Sequence, residues 1–257
     1  MDIDEKRVYG EKTGATEVYV ASGAGLAVVS VSADIVGEFA LARRCTARDV
    51  AAGPEHLAVA TDADVLVSES GGYVETDFGP AVAVGFDGAR LLAAGPEGGV
   101  AAREDGAWTA LGAADEVRAI DGGLVAASDG VYWATDGQEA AGLSDVRDVA
   151  AADPLAATGD GLYELGPGWR EVRPEAFTAV ASERERAHAA TAAGLFERRD
   201  GEWQPRPLPV EDGVVDIAHG AGTYAVTGDG TVLVDAGDGW RTRSLGLPAV
   251  AGLAVAP

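Results

Sequence analysis

Three groups of side chains in this sequence could do chemistry. The first is a recurring set of charges, Arg48-Asp49, Arg147-Asp148, Arg118 and Asp216, each at the head of a short apolar run such as RDVAA or RDVAAA. Guanidinium and carboxylate groups brought to one place could hold a carboxylate, a phosphate or a sugar, because arginine binds such groups through paired hydrogen bonds. The plainer reading is preferred: alternating Arg–Asp pairs tie neighbouring structural units together, or the groups are solvated by channel water. The second group is Arg43, Arg44 and Arg48 around Cys45, the densest basic cluster in the chain. It could bind an anion and depress the thiol pKa, or its arginines could simply pair with an acidic surface. The third is His56, His188 and His219. No HxH or HxxxH spacing links them, so a three-histidine metal site is not expected. Asp62, Asp64, Asp129, Asp160 and Asp229 sit in tight turns. Calcium needs several oxygens from one loop, and no loop offers them, so turn chemistry explains these residues. No metal or cofactor is expected. No nucleophile elbow, P-loop or dinucleotide glycine motif stands in a strand–helix setting.

The elements that position these residues repeat. A turn between two short apolar runs recurs as VYVASGAGLAVVS, LAVATDADVLVSE, LLAAGPEGGVAAR, LVAASDGVYWAT, LAATGDGLYELG, HAATAAGLFERR and YAVTGDGTVLVD. Its anchors, Gly25, Asp64, Gly98, Gly130, Gly161, Gly194 and Gly230, lie 31 to 39 residues apart. Runs of a few Val, Leu, Tyr and Trp residues cut by Asp-Gly or Gly-Asp pairs predict strands and hairpins. A further strand follows turns ending at Trp108, Trp169, Trp203 and Trp240, and the first strand of the next copy follows at once. No stretch carries a helical period.

Four antiparallel strands repeated seven times predict an all-β chain forming a seven-bladed β-propeller. Side-chain size agrees: alanine dominates the first two strands and aromatic residues collect on the outer two, which suits wedge-shaped blades. First strands are placed at 47–52, 80–85, 116–121, 146–151, 177–182, 214–219 and 250–255. The last has no partners after it, so the ring is expected to close by pairing 250–255 beside Val18–Ser22. Residues 1–15 then form an N-terminal extension and 16–257 a single propeller. A rival phase would use KRVYGE as a first strand.

The turns RxDGxW at Arg103–Trp108 and Arg198–Trp203 resemble worn Asp boxes, the hairpin motif of sialidase-like and sortilin-like propellers. The leading serine is missing, and no motif matches the sialidase arginine triad, so no activity carries over. The whole chain, with its opening DEKRVYG and its segment RCTARDVAAG, resembles a β-propeller family of haloarchaea. That resemblance implies fold and habitat and brings no activity with it.

Charge narrows the partners. The 257 residues hold 42 acids and 19 bases, a formal net charge of −23, and Lys6 and Lys12 are the only lysines. Such a chain repels itself in dilute buffer, whereas at molar salt the Debye length falls to about 3 Å. The balance points to a high-salt cytoplasm and argues against nucleic acid or an anionic membrane as a partner. Cys45 stands alone, so no intrachain disulfide forms, and no secretory leader is read at the start. The reading preferred for function is a non-enzymatic scaffold that binds protein. The alternative is a small-ligand or enzymatic propeller using an axial site of Arg43, Arg44, Arg48, Asp49, Arg118, Arg147, Asp148 and Asp216. Carbohydrate recognition ranks third.

Overall fold

A computed structural model describes residues 15–33, 35–135 and 137–256. Twenty-eight strands form seven four-stranded antiparallel sheets. Blade 1 combines Gly252–Val255 with Thr16–Ser22, Gly25–Ser32 and Ile35–Arg43. Blades 2 to 7 follow in chain order, with innermost strands Ala47–Ala52, Ala83–Asp87, Val117–Asp121, Val146–Ala150, Ala179–Glu183 and Val214–His219. Each innermost strand touches the next around the ring, and Gly252–Val255 closes the circle between blades 7 and 2.

The closure takes the expected form. Val18 pairs with Val255, Tyr19 with Ala254, Val20 with Leu253 and Ala21 with Gly252, all antiparallel. The first-strand position of blade 1 is thus filled from the C-terminal end, and the rival phase is excluded. KRVYGE and the expected extension, Ala15 apart, lie outside the described residues. Three innermost strands begin two or three residues later than expected, Ala83, Ala179 and Gly252 instead of 80, 177 and 250, and a fourth begins one later, at Val117. Immediately before the first three, Val82, Thr178 and Ala251 already donate to Ala94 O, Ala190 O and Ala21 O of their own blades, and in blades 3 and 6 the residue two places ahead is tied to the preceding blade. Ala81 N–H donates to Thr61 O of blade 2, and Phe177 N–H to Thr158 O of blade 5. The chain crosses from blade to blade before its ladder starts.

The core lies between blades and is centred on the second strands. Leu57–Thr61, Leu124–Ala127, Leu155–Thr158 and Thr223–Thr227 are buried at every position. Alanine on these strands lets the blades converge, and Leu, Val and aromatic side chains fill the widening gap outside them. Glycine marks the tightest approach. A Cβ on Gly85 of blade 3 would stand 2.5 Å from the Ile120 carbonyl oxygen of blade 4, so any side chain there would push the two innermost strands apart.

The outer-strand tryptophans reach the preceding blade. Trp108 Nε1 donates to Thr76 O of blade 2 (3.0 Å), and Trp169 Nε1 to Ala141 O of blade 4 (2.9 Å). Trp203 packs on the blade 5–6 core and Trp240 on the blade 6–7 core. Packing, as expected, accounts for their repetition, but it is packing between blades. Trp108 and Trp169 thus keep the apolar body of the indole half-buried and satisfy its N–H at the neighbour's edge, whereas Trp240 Nε1 finds no hydrogen-bond partner among the described residues.

Candidate functional site: the axial channel

The innermost strands leave a central cavity of about 440 Å³. Asp49, Asp148, Asp216, Arg118 and Arg147 line it, with Asp121, Glu183 and His219 toward the end where these strands finish. Five of the eight expected axial residues therefore meet at the axis. Arg48 is exposed, and Arg43 and Arg44 are exposed at the outer end of blade 1; these three do not line the cavity.

A local irregularity in the backbone positions the carboxylates. In blades 2, 5 and 7 the ladder between first and second strands shifts register just before the aspartate, at Ala47/Asp49, Val146/Asp148 and Val214/Asp216. A β-bulge of this kind re-aims the following side chain. Each aspartate then does the same thing. Asp49 Oδ1 accepts from Val50 N–H (2.8 Å) and Oδ2 from Val84 N–H of blade 3 (2.9 Å). Asp148 accepts from Val149 N–H (2.8 Å) and from Val180 N–H of blade 6 (2.7 Å). Asp216 accepts from Ile217 N–H (2.7 Å) and from Leu253 N–H of blade 1 (2.6 Å). The third of these latches holds the closing strand itself. Blade 4 has the bulge, with Ala119 where the aspartate would stand.

Inter-blade ties are thus present, and they are of two kinds. In the three latches a carboxylate bridges two backbone N–H groups across the blade junction without arginine. Arg–Asp pairs, the kind expected, join other points: Arg118 of blade 4 also donates to Val146 O of blade 5. Arg118 binds Asp145 (2.7 Å) and Glu116 (3.2 Å), and Arg147 approaches Asp145 from the other side (3.5 Å). Asp145 is held below the usual carboxylate range, first by its hydrogen bond from Arg118. Arginine side chains bridge the opposite ends of blades as well: Arg186 reaches Gly220 O of blade 7 (2.8 Å), and Arg206 of blade 6 pairs with Asp235 of blade 7.

The three latch carboxylates are only half-buried, yet what they see is the channel and not open solvent. Burial raises Asp49 to about 6 against the opposing pull of its two N–H donors. Asp148 is likewise raised, to about 7, by burial first and by repulsion from Asp121 and Asp49, and Asp216 well above the usual range, by burial first and by repulsion from Asp148 and Asp49. Gly252 stands between two of them: a Cβ there would lie 2.9 Å from Asp49 Oδ1 and 3.6 Å from Asp216 Oδ2.

The remaining candidates separate. Cys45 is half-buried, and burial pushes its thiol up, outweighing the lowering by a Leu26 backbone hydrogen bond and by Arg43; the depression that the sequence left open is not found. His188 of blade 6 and His219 of blade 7 meet across a junction, Nδ1 to Nε2 at 2.9 Å. Sequence spacing of 31 residues hid this contact. Burial lowers both to about 4, so each ring is neutral at pH 7. His56 sits apart in blade 2, on Ser68 O. Among the described residues no group of three metal-binding side chains converges. Asp64 also has a role the sequence did not reveal. It is buried, and its carboxylate accepts from Val65, Asp77, Phe78 and Gly79 N–H at 2.7 to 3.0 Å, which pins the loop leading to blade 3.

Seven four-stranded blades around a channel latched by carboxylates define a β-propeller. The chain belongs to the HVO_0234-like beta-propeller family, whose model matches residues 2–256. No curated protein matches the sequence. Among solved structures, the computationally designed Ika8 protein is similar over 93% of this chain and 90% of its own, at 14% identity and TM-score 0.63. The WD40 propeller domain of Doa1 gives 91%, 88%, 11% and 0.60 on the same measures. YCF48 bound to D1 peptide gives 77%, 82%, 16% and 0.57. At these identities the likeness is one of fold. The propeller-family resemblance stands, and the Asp-box resemblance is not supported. No helix is long and apolar enough to cross a membrane among the described residues.

Proposed function

We propose that the protein is a non-enzymatic scaffold that binds other proteins. One observation carries this reading: the three latch aspartates and the two arginines of the channel are already engaged in holding the ring. Asp49, Asp148 and Asp216 each accept two backbone N–H bonds. Arg118 and Arg147 share Asp145. A general base or an anion clamp needs groups free to change partners, and these are not free. The rigid disc then offers its two faces and its rim. YCF48, of the same fold, has been captured with a peptide, which agrees with the reading without deciding it. The proposed setting is a high-salt cytoplasm, on the strength of the −23 charge.

The test is purification of the full chain at molar salt, with Arg147→Ala beside it. A protein partner recovered in constant ratio with both forms supports the scaffold. A small molecule recovered with the parent and lost from Arg147→Ala, with no protein partner in either, overturns it in favour of an axial ligand site.

A further inference from the structure

The outer edges of the seven blades are not equally guarded. Proteins protect exposed sheet edges with short strands, charges or proline. The outer strands of blades 2 and 4 span only four residues each, Gly72–Glu75 and Glu139–Gly142. Those of blades 5, 6 and 7, WREVR, EWQPR and WRTRS, are rich in charge, and one holds a proline. Blade 3 ends in AWTALGA, whose exposed residues are small. Blade 1 ends in Ile35–Arg43, IVGEFALAR, nine residues with no strand beside them. Ile35 is 68% exposed and Phe39 41%; of the described residues, only Val74 joins them as an exposed large hydrophobic.

The charge around this edge opposes that of the molecule. The outer strands of blades 1 and 7 carry Arg43, Arg241 and Arg243 against Glu38, and Arg44 follows at once. Arg243 lies over the Phe39 ring, 5.7 Å from its centre, and donates to the carbonyls of Val36 and Gly37. It covers one end of the edge. Bulges at Gly37–Glu38 and Ala42 leave Phe39–Leu41 as the regular stretch.

We infer that the outer edge of blade 1 is the docking site for an extended segment of a partner protein, one that alternates apolar and acidic side chains. The segment adds a strand along Phe39–Leu41. Its apolar residues cover Phe39, and its carboxylates meet Arg43 and Arg44. A second copy of this chain is a poorer occupant, because it would bring the same arginines face to face and a further −23 of charge. The inference rests on the scaffold reading and names its partner's chemistry.

The test uses the full chain at the lowest salt that keeps it folded, with two synthetic peptides, alternating Val-Asp and alternating Val-Lys. Amide hydrogen exchange is followed at the N–H groups of Phe39–Leu41 that face away from Gly25–Ser32, and affinity by fluorescence anisotropy. The expected result is fast exchange in the free protein, slowed by the Val-Asp peptide, with the Val-Lys peptide roughly tenfold weaker. The exposed double variant Arg43→Glu/Arg44→Glu should invert that preference, read at a salt concentration where parent and variant give the same circular-dichroism spectrum. Slow exchange without peptide would mean the edge is already covered, by a second copy if it depends on protein concentration and by the chain itself if it does not. Either outcome overturns the proposal, as would no binding, equal binding of both peptides, or indifference to the double variant. A protein partner that docks on another face would remove this edge and leave the scaffold reading intact.

Discussion

A carboxylate half-way down an innermost strand lies within reach of N–H groups on two blades, and Asp49, Asp148 and Asp216 each take one from either side. The position costs them solvation, so their folded pKa values lie above the unfolded value near 4. The folded chain then holds more protons than the unfolded one, from about pH 4 up to the raised values, and stability falls as pH rises through that window. His188 and His219 act in the opposite sense: lowered to about 4, they contribute stability above pH 6.5 that is lost as pH falls toward 4. Above about pH 7 the histidines are silent in both states. The expected outcome is that the urea midpoint of the parent, taken relative to that of Asp148→Asn so that the histidines cancel, falls as pH rises from about 4 to about 7. A profile identical in the parent and the variant would remove the assignment. Asp64 belongs to this scale too. Asp64→Ala strips four N–H donors of their acceptor and should cost roughly 2–4 kcal/mol, read as a lower urea midpoint together with proteolysis near residues 76–80.

Among the elements, the closing strand matters most. Leu253 and Ala254 are buried, and Leu253 N–H is held by Asp216. Removing Val250–Pro257 takes away the inner strand of blade 1 and leaves Val18 and Val20 facing water. The melting temperature should fall by on the order of 10 °C; a truncated chain that melts with the parent would mean the closure contributes nothing. The strands were legible from the sequence because each copy repeats small residues, a glycine turn and an outer aromatic at fixed order. The channel chemistry was half legible. Arg-Asp pairs at the heads of first strands marked the axis, but a side chain's partner depends on how the backbone bends, and a one-residue bulge at Arg48, Arg147 or Val215 leaves no trace in composition. The His188–His219 contact was hidden for another reason: it joins different blades, and its distance depends on packing between them.

At the scale of the whole molecule, the acidic surface sets the conditions for folding. A net charge of −23 on a compact disc opposes itself until salt screens it. Moving from molar to millimolar salt should lower the melting temperature, and a circular-dichroism melt that does not shift would remove the high-salt reading. The latches add a local share to this repulsion, since three partly charged carboxylates face one cavity. The closure described above also determines where the ring would give way under load. Thr16 and Val255 stand at the same end of their antiparallel pair, and Ala256 N–H still donates to Glu17 O there (3.0 Å). Tension applied to the two tails would peel that ladder one bond at a time and would not shear it as a whole. Blade 1 is therefore the mechanical seam of the disc, and the other six blades would feel the pull only after it had unzipped.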